Sequence, residues 1–304
     1  MIVRPHQHWF RRLFDWHGSV LPNIFSRLCL NLMMSIAALI FLPWYERLGI
    51  HLTLAPFSLL GVAIAIFMGF RNNTSYARFT EARQLWGSLL VTERSLLRQI
   101  KSALPKAADA TEFAGLLLAF AWTLKHQLRC TDPQPDLARL VPAPYQTDVA
   151  ASPLPANRLV LHMGCWLGDR RRSGELSDIL YTSLDSNINE LSHIQGGCER
   201  IASTPIPFAY SLMLHRTVYL FCALLPFALV EDLRYMTPLV SVFISYTFLS
   251  LESLAEELED PFGTTAHDLP LNAICTGIEI NLMEMNDQRP LPEAARPDER
   301  FNLI

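Results

Sequence analysis

The sequence predicts an all-α integral membrane protein with four membrane-crossing helices and a cytoplasmic helical domain. Three observations predict it. Half of the 304 residues are hydrophobic and only 18% are charged, below the quarter or so usual in soluble domains. Four apolar stretches approach the roughly 20 residues needed to cross a hydrocarbon core. Basic residues gather beside alternate stretches rather than spreading evenly.

The first stretch, Ile24 to Tyr45, closes on Pro43-Trp44-Tyr45, an aromatic pair suited to the membrane interface. The second, Leu52 to Phe70, contains no charged residue. The third, Ile206 to Val230, holds His215 and Arg216; the fourth, Met236 to Leu251, is shorter and runs into Glu252, Glu256, Glu257, Glu259 and Asp260. Lys and Arg near segment ends stay cytoplasmic. Arg4, Arg11 and Arg12 precede the first stretch, and Arg71, Arg78, Arg83, Arg94, Arg98 and Lys101 follow the second. The two other connections carry only Arg47 and Arg234 among bases. Both termini and the long middle region are therefore expected in the cytoplasm. This divides the chain into an N-terminal interfacial segment (1–23), two membrane segments (24–70), a cytoplasmic helical domain (71–205), two more membrane segments (206–251) and a C-terminal helix with its tail (252–304).

In the middle region, Phe79, Leu85, Trp86, Leu89, Leu96, Leu97 and Ile100 recur at helical spacing, which predicts a helix from Tyr76 to Leu104. Further helices are expected at about Ala110–Cys130, Asn157–Asp169, Leu176–Ile201 and Leu269–Met285. Six prolines between Asp132 and Pro155 read as a loop. The tail, with Pro290, Pro292 and Pro297, has too little apolar surface to fold alone. At the other end, Trp9, Phe10 and Trp16 among the early arginines suit an interfacial helix and not a cleaved leader.

Chemistry is sparse. The six cysteines are far apart and never spaced CxxC, so neither a disulfide frame nor a metal site is indicated. HExxH, GxSxG and phosphate-binding glycine loops are absent, which argues against an enzyme and names no catalytic residue, cofactor or metal. A net charge of −4 gives no reason to expect nucleic acid. His6 and His8 fit an interfacial stretch better than a metal, and His215 fits a helix-packing hydrogen bond. Arg27, Asn31, His215 and Arg216 are polar residues inside membrane stretches. A charge at the bilayer centre costs about 2.5–3.5 kcal/mol, so such residues face protein or water. Arg27 is near enough to the cytoplasmic end to snorkel, whereas Arg216 is deeper and needs a partner. The acidic run from Glu252 to Asp260 reads either as a cation-attracting vestibule or as a solvated helix end.

Val62, Ile66 and Phe70 recur every four residues, with Gly61 and Gly69 beside them and the polar run Arg71-Asn72-Asn73-Thr74-Ser75 after them. Around an axis each position would become an apolar ring, and such rings gate by dewetting. An ordinary lipid-facing or packed helix has the same spacing, and the pattern leaves both readings open.

Three blocks resemble the bestrophins, in particular their bacterial branch. Phe57-Ser58-Leu59-Leu60-Gly61 through Phe70-Arg71-Asn72-Asn73, with Tyr76-Ala77-Arg78-Phe79, Glu81-Ala82-Arg83 and Leu85-Trp86-Gly87, looks like the family's pore helix and its continuation. Ile206-Pro207-Phe208-Ala209-Tyr210 is similar to the opening of its third segment, and Glu257-Leu258-Glu259-Asp260-Pro261-Phe262-Gly263 to its signature after the fourth. The resemblance, over roughly Arg4 to Met285, implies a homopentameric channel in the bacterial inner membrane with a neck at Val62, Ile66 and Phe70. It also implies a cytoplasmic constriction near Leu180. Its partners would be the lipid bilayer and permeating monovalent ions. Bacterial members are taken to favour sodium, while animal and plant members pass anions; a non-conducting membrane-anchored scaffold is the reading from another class. Animal members follow Pro-Phe-Gly with a dense acidic run that helps clasp calcium. Here Thr264-Thr265-Ala266-His267-Asp268 leaves one carboxylate, too few oxygen ligands for such a site.

Overall fold

The computed structural model describes residues 1–4, 8–12, 15–16, 18–47, 53–104 and 106–304. His6, most of the link between the first two predicted membrane stretches, and Leu52 lie outside them, as do the side chains of Arg11, Arg12 and Tyr45. In chain order the helices are α1 (Trp9–Arg12), α2 (Leu21–Arg47), α3 (Leu54–Ala103), α4 (Ala107–Arg129), α5 (Gln134–Leu140), α6 (Ala143–Ala150), α7 (Pro155–Arg172), α8 (Asp178–Ser203), α9 (Phe208–Leu233), α10 (Thr237–Glu259) and α11 (Leu271–Met285). Among the described residues there is no β-strand, only an isolated antiparallel bridge between Ile2 and Asn302. The chain forms two compact units. One, here the membrane unit, comprises Pro5–Phe79 and Pro205–Asp260; the second comprises Met1–Arg4, Thr80–Thr204 and Pro261–Ile304.

In the membrane unit α2, α9 and α10 pack on one another. Their core joins Ile24 and Leu28 of α2, Ile64 and Met68 of α3, Val218, Phe221, Leu225 and Leu229 of α9, and Leu249 of α10. Only 28% of the most apolar window of α2 and 17% of that of α3 is buried. So much uncovered apolar surface is stable in lipid and not in water. The chain is an all-α integral membrane protein whose crossing helices are α2, the first part of α3, α9 and α10.

Asn31, expected to face protein, is buried at the α2–α9–α10 junction. Its amide donates to the Cys222 carbonyl at 2.6 Å, and its side-chain oxygen accepts from Ser241 at 3.0 Å. Cys222 stands four residues before Pro226, which has no N–H to return to that carbonyl. Asn31 supplies the missing donor, and a polar residue becomes interhelical glue. A 3-10 turn, Arg234–Met236, with a positive φ of 44° at Arg234, joins α9 to α10.

Two predicted ends fall elsewhere. The second crossing stretch does not stop at Phe70, because α3 runs on unbroken to Ala103. No Gly or Pro interrupts Arg71–Ser75. The Asn72 and Thr74 side chains donate to the carbonyls of Met68 and Phe70 at 3.0 and 2.9 Å, so they are satisfied inside the helix without capping an end. The fourth stretch likewise continues through its acidic residues to Glu259, where Pro261 follows.

The second unit is built around α4, with α5, α7, α8 and α11 against it. Phe113, Leu116, Leu117, Phe120, Ala121 and Leu124 of α4 are buried. By length and composition α4 is apolar enough to cross a membrane, yet 67% of its window is already covered by protein. That coverage makes it a core helix, as expected of the middle region. The predicted loop between Asp132 and Pro155 is instead two short helices, α5 and α6, leading into α7. Prolines break helices only past their first turn, and Pro135, Pro144 and Pro155 occupy first-turn positions where no intrahelical N–H bond is lost. At Gly115 a Cβ would lie 3.0 Å from the Leu140 carbonyl and from Pro142, so any larger residue would press on the α5–α6 turn there. The tail does not fold alone. Its end pairs with the first residues, Val3 N–H to Phe301 O at 2.9 Å and Leu303 N–H to Met1 O at 2.7 Å.

Candidate pore neck and its supports

Val62, Ile66 and Phe70 lie on one face of α3 over about 12 Å of helix rise. Their exposures are 59%, 53% and 61%, while Ile64 and Met68 on the other side are each 2% exposed in the core. The stripe is an apolar face that the chain's own helices leave bare. α3 is held from behind by close contacts. A Cβ at Gly61 would sit 3.4 Å from the Phe221 ring, and the Tyr210 hydroxyl donates to the Phe67 carbonyl at 2.9 Å.

Directly after Phe70, Arg71 turns into the membrane unit and is almost fully buried. Its guanidinium lies 4.0 Å from Glu252 Oε1 and 3.8 Å from Glu259 Oε2, and its Nε has no hydrogen-bond partner among the described residues. The same Glu252 Oε1 is 2.5 Å from His215 Nδ1. Glu259 also accepts from the Ile206 N–H at 3.0 Å, and its own carbonyl accepts from Arg78 Nε at 3.1 Å. Glu257 accepts from the Asn23 amide at 2.8 Å. Most of the acidic run is therefore neither a vestibule nor a solvated end. It ties α2, α3 and α9 to α10, and Glu256 and Asp260 are left exposed.

The helix-packing hydrogen bond expected of His215 is present, but the sequence reading did not name its partner in the acidic run, although a signal existed. His215 stands seven residues after the start of α9 (215 − 208) and Glu252 seven before the end of α10 (259 − 252). Two antiparallel helices joined by a tight turn bring such positions level. Arg27 stacks over the Tyr219 ring, 5.3 Å from its centroid. Arg216 is exposed on α9 with no partner among the described residues.

In the second unit Leu180 lies in the first turn of α8, which is capped by the Ser177 hydroxyl accepting the Leu180 N–H at 3.4 Å. Leu180 is 43% exposed and its neighbour Ile179 83%. Ile179, with Asp178, Thr182, Ser183, Ser186 and Asn187, lines an open recess of about 690 Å³ that Leu180 does not reach.

Residues 264–268, the counterpart of the animal calcium clasp, are flanked on both sides by carbonyls that a cation of the chain itself holds. Arg129 donates to the carbonyls of Phe262 and Leu269, each at 3.2 Å, and Asp268 accepts the Thr265 N–H at 2.5 Å. Among the described residues no three His, Cys, Asp or Glu side chains converge as a metal site would need.

The site is thus an all-helical membrane unit with a bare apolar stripe on one crossing helix. Residues 1–284 match the family model for bacterial and fungal bestrophin proteins. The voltage-dependent anion channel-forming protein YneE of Escherichia coli K12 is 59% identical over 303 residues, covering 100% of both chains. A relative of the same description from Ralstonia nicotianae is 46% identical over 97% of each. The crystal structure of a bacterial bestrophin homolog from Klebsiella pneumoniae superposes with a TM-score of 0.85 at 61% identity, covering 88% of this chain and 100% of that one. The chain belongs to the bestrophin family.

Proposed function

We propose that the protein forms a homopentameric channel that passes monovalent ions, sodium before chloride, through a neck lined by Val62, Ile66 and Phe70. The bare stripe on α3 carries this reading. Rings of these side chains offer no hydrogen bond, so ions and water lose solvation in crossing them. A second narrowing is proposed in the first turn of α8 at Leu180. Its neighbour Ile179 is the more exposed side chain, and alanine at each position separately identifies which one sets the width.

Charge on α8 favours cations. Asp178, Asp185 and Glu190 all precede its first basic residue, His193. Anion passage is the second reading, favoured by the name of the relatives that are 59% identical. The basic residues before α2 and after Phe70 support an inner-membrane protein with both ends in the cytoplasm.

Purified protein in planar bilayers under asymmetric sodium chloride tests the proposal. A reversal potential toward the sodium equilibrium value is expected, and one toward the chloride value overturns the ion sign. An assembled oligomer that passes neither ion favours a non-conducting anchor. Arg234→Cys should react with an impermeant thiol probe from outside; reaction only from the cytoplasm overturns the topology.

A further inference from the structure

We propose that His215, Glu252 and Arg71 form a proton-sensitive latch at the Phe70 end of the neck, which releases when His215 is protonated. The inference rests on the reading of α3 as the pore helix. One carboxylate oxygen, Glu252 Oε1, faces an imidazole and a guanidinium, with His215 Nδ1 at 2.5 Å and Arg71 at 4.0 Å. Glu252 and Arg71 are almost fully buried, whereas the His215 side chain is 46% exposed on the single chain. Arg71 is held by charge alone. Its nearest carboxylate oxygens, 3.8 and 4.0 Å away, are beyond hydrogen-bonding distance, and its Nε is unpartnered among the described residues. A loosely held buried cation between two carboxylates is free to shift when the charge beside one of them changes.

Histidine is the side-chain type whose ordinary titration lies between about pH 5 and 8. The groups around His215 are Glu252 of α10, Arg71 of α3 through that carboxylate, and Tyr219 of its own helix, stacked at 4.2 Å between ring centroids. Arg27 of α2 lies over the far part of this stack, and Glu256 and Glu259 are further along α10. When His215 is charged, Glu252 is engaged by an imidazolium and Arg71 keeps only Glu259. When His215 is neutral, it offers Glu252 a hydrogen bond but no counter-charge, so Glu252 attracts Arg71 more strongly and Arg71 is held from two sides. Arg71 follows Phe70 on the α3 backbone, so its hold fixes the turn that carries the last apolar ring. Acidification therefore loosens that ring and eases ion passage.

Single-channel currents in symmetric sodium chloride from pH 8 to pH 5 test the latch on the full-length protein. Wild-type conductance or open time should rise several-fold toward pH 5. H215Q should be flat at the high-pH level, and H215K, permanently charged, flat at the low-pH level. Both change a half-exposed side chain, and size-exclusion chromatography verifies the assembly. H215Q that keeps the wild-type response, H215K that matches H215Q, or a wild-type current flat in pH overturns the latch and leaves the pore standing. Assembled wild-type protein silent at every pH overturns the pore reading itself.

Discussion

The first part of α3 and the whole of α4 are both apolar enough to cross a bilayer, yet they have opposite surroundings. Protein covers 17% of the α3 window and 67% of the α4 window. Apolar length enough to cross a bilayer therefore does not by itself separate a helix that its own chain leaves bare from a core helix. Their charges do. The α3 stretch before Arg71 has none. In α4, Asp109 is bonded by Arg170 at 2.8 Å, and Lys125 lies 4.2 Å above the Trp122 ring and 3.9 Å from Asp136. Buried charges with designated partners belong to a protein interior.

The largest effect expected from this contrast is on stability. Phe120 of α4 is fully buried, so Phe120→Ala should cost about 3–5 kcal/mol through lost burial and a residual cavity. Leu59 of α3 is bare in the membrane unit, and Leu59→Ala should cost under about 1 kcal/mol. Thermal unfolding in detergent compares the two, and equal losses would erase the distinction drawn here between the two helices.

A smaller effect with a pH signature is expected at Glu93, in the part of α3 that belongs to the second unit. Both its oxygens are buried without a hydrogen-bond partner among the described residues, and desolvation holds its pKa well above the usual carboxylate value. The folded state therefore keeps a proton that the unfolded chain gives up. Its contribution is fully present below the ordinary value and is lost as pH rises toward the folded one. Glu93→Gln, neutral at every pH, should gain about 1–3 kcal/mol at neutral pH and flatten the decline. Unfolding midpoints from pH 4 to 9 measure it, and an unchanged slope would show that Glu93 is charged in the fold.

What the sequence made legible follows the same division. Long apolar stretches and the helical period around Trp86 and Leu89 located α2, α3, α9 and α10, because lipid exposure and core burial both leave a periodic or continuous apolar trace. The continuity of α3 is hidden in the sequence, since Asn72 and Thr74 usually mark an end, whereas here their side chains bond back within the helix. Prolines at first-turn positions hid α5 and α6 for a similar reason. The acidic run was read as local charge, while its role lies in partners far away in sequence: Asn23, Arg71, Ile206 and His215. The stripe at Val62, Ile66 and Phe70 was visible as spacing, but that its face is the uncovered one depends on how α9 and α10 pack behind it.

The smallest effect on stability, and the sharpest on function, is expected at that stripe. Val62, Ile66 and Phe70 make no core for the single chain, so replacing all three with Ala removes little of the packing that holds the membrane unit. Assembly and unfolding midpoint should stay near those of the parent. If the side chains ring an axis, their loss widens the driest part of the path, eases wetting and raises single-channel conductance. Phe70 has the largest side chain of the three and should dominate, so Phe70→Ala alone ought to recover most of the increase. Ile64→Ala and Met68→Ala, on the buried side of the same helix, should do the reverse and lower stability without raising conductance. A triple variant that assembles normally and conducts like the parent would mean that this face meets lipid or another helix. The neck would then have to be built from other residues.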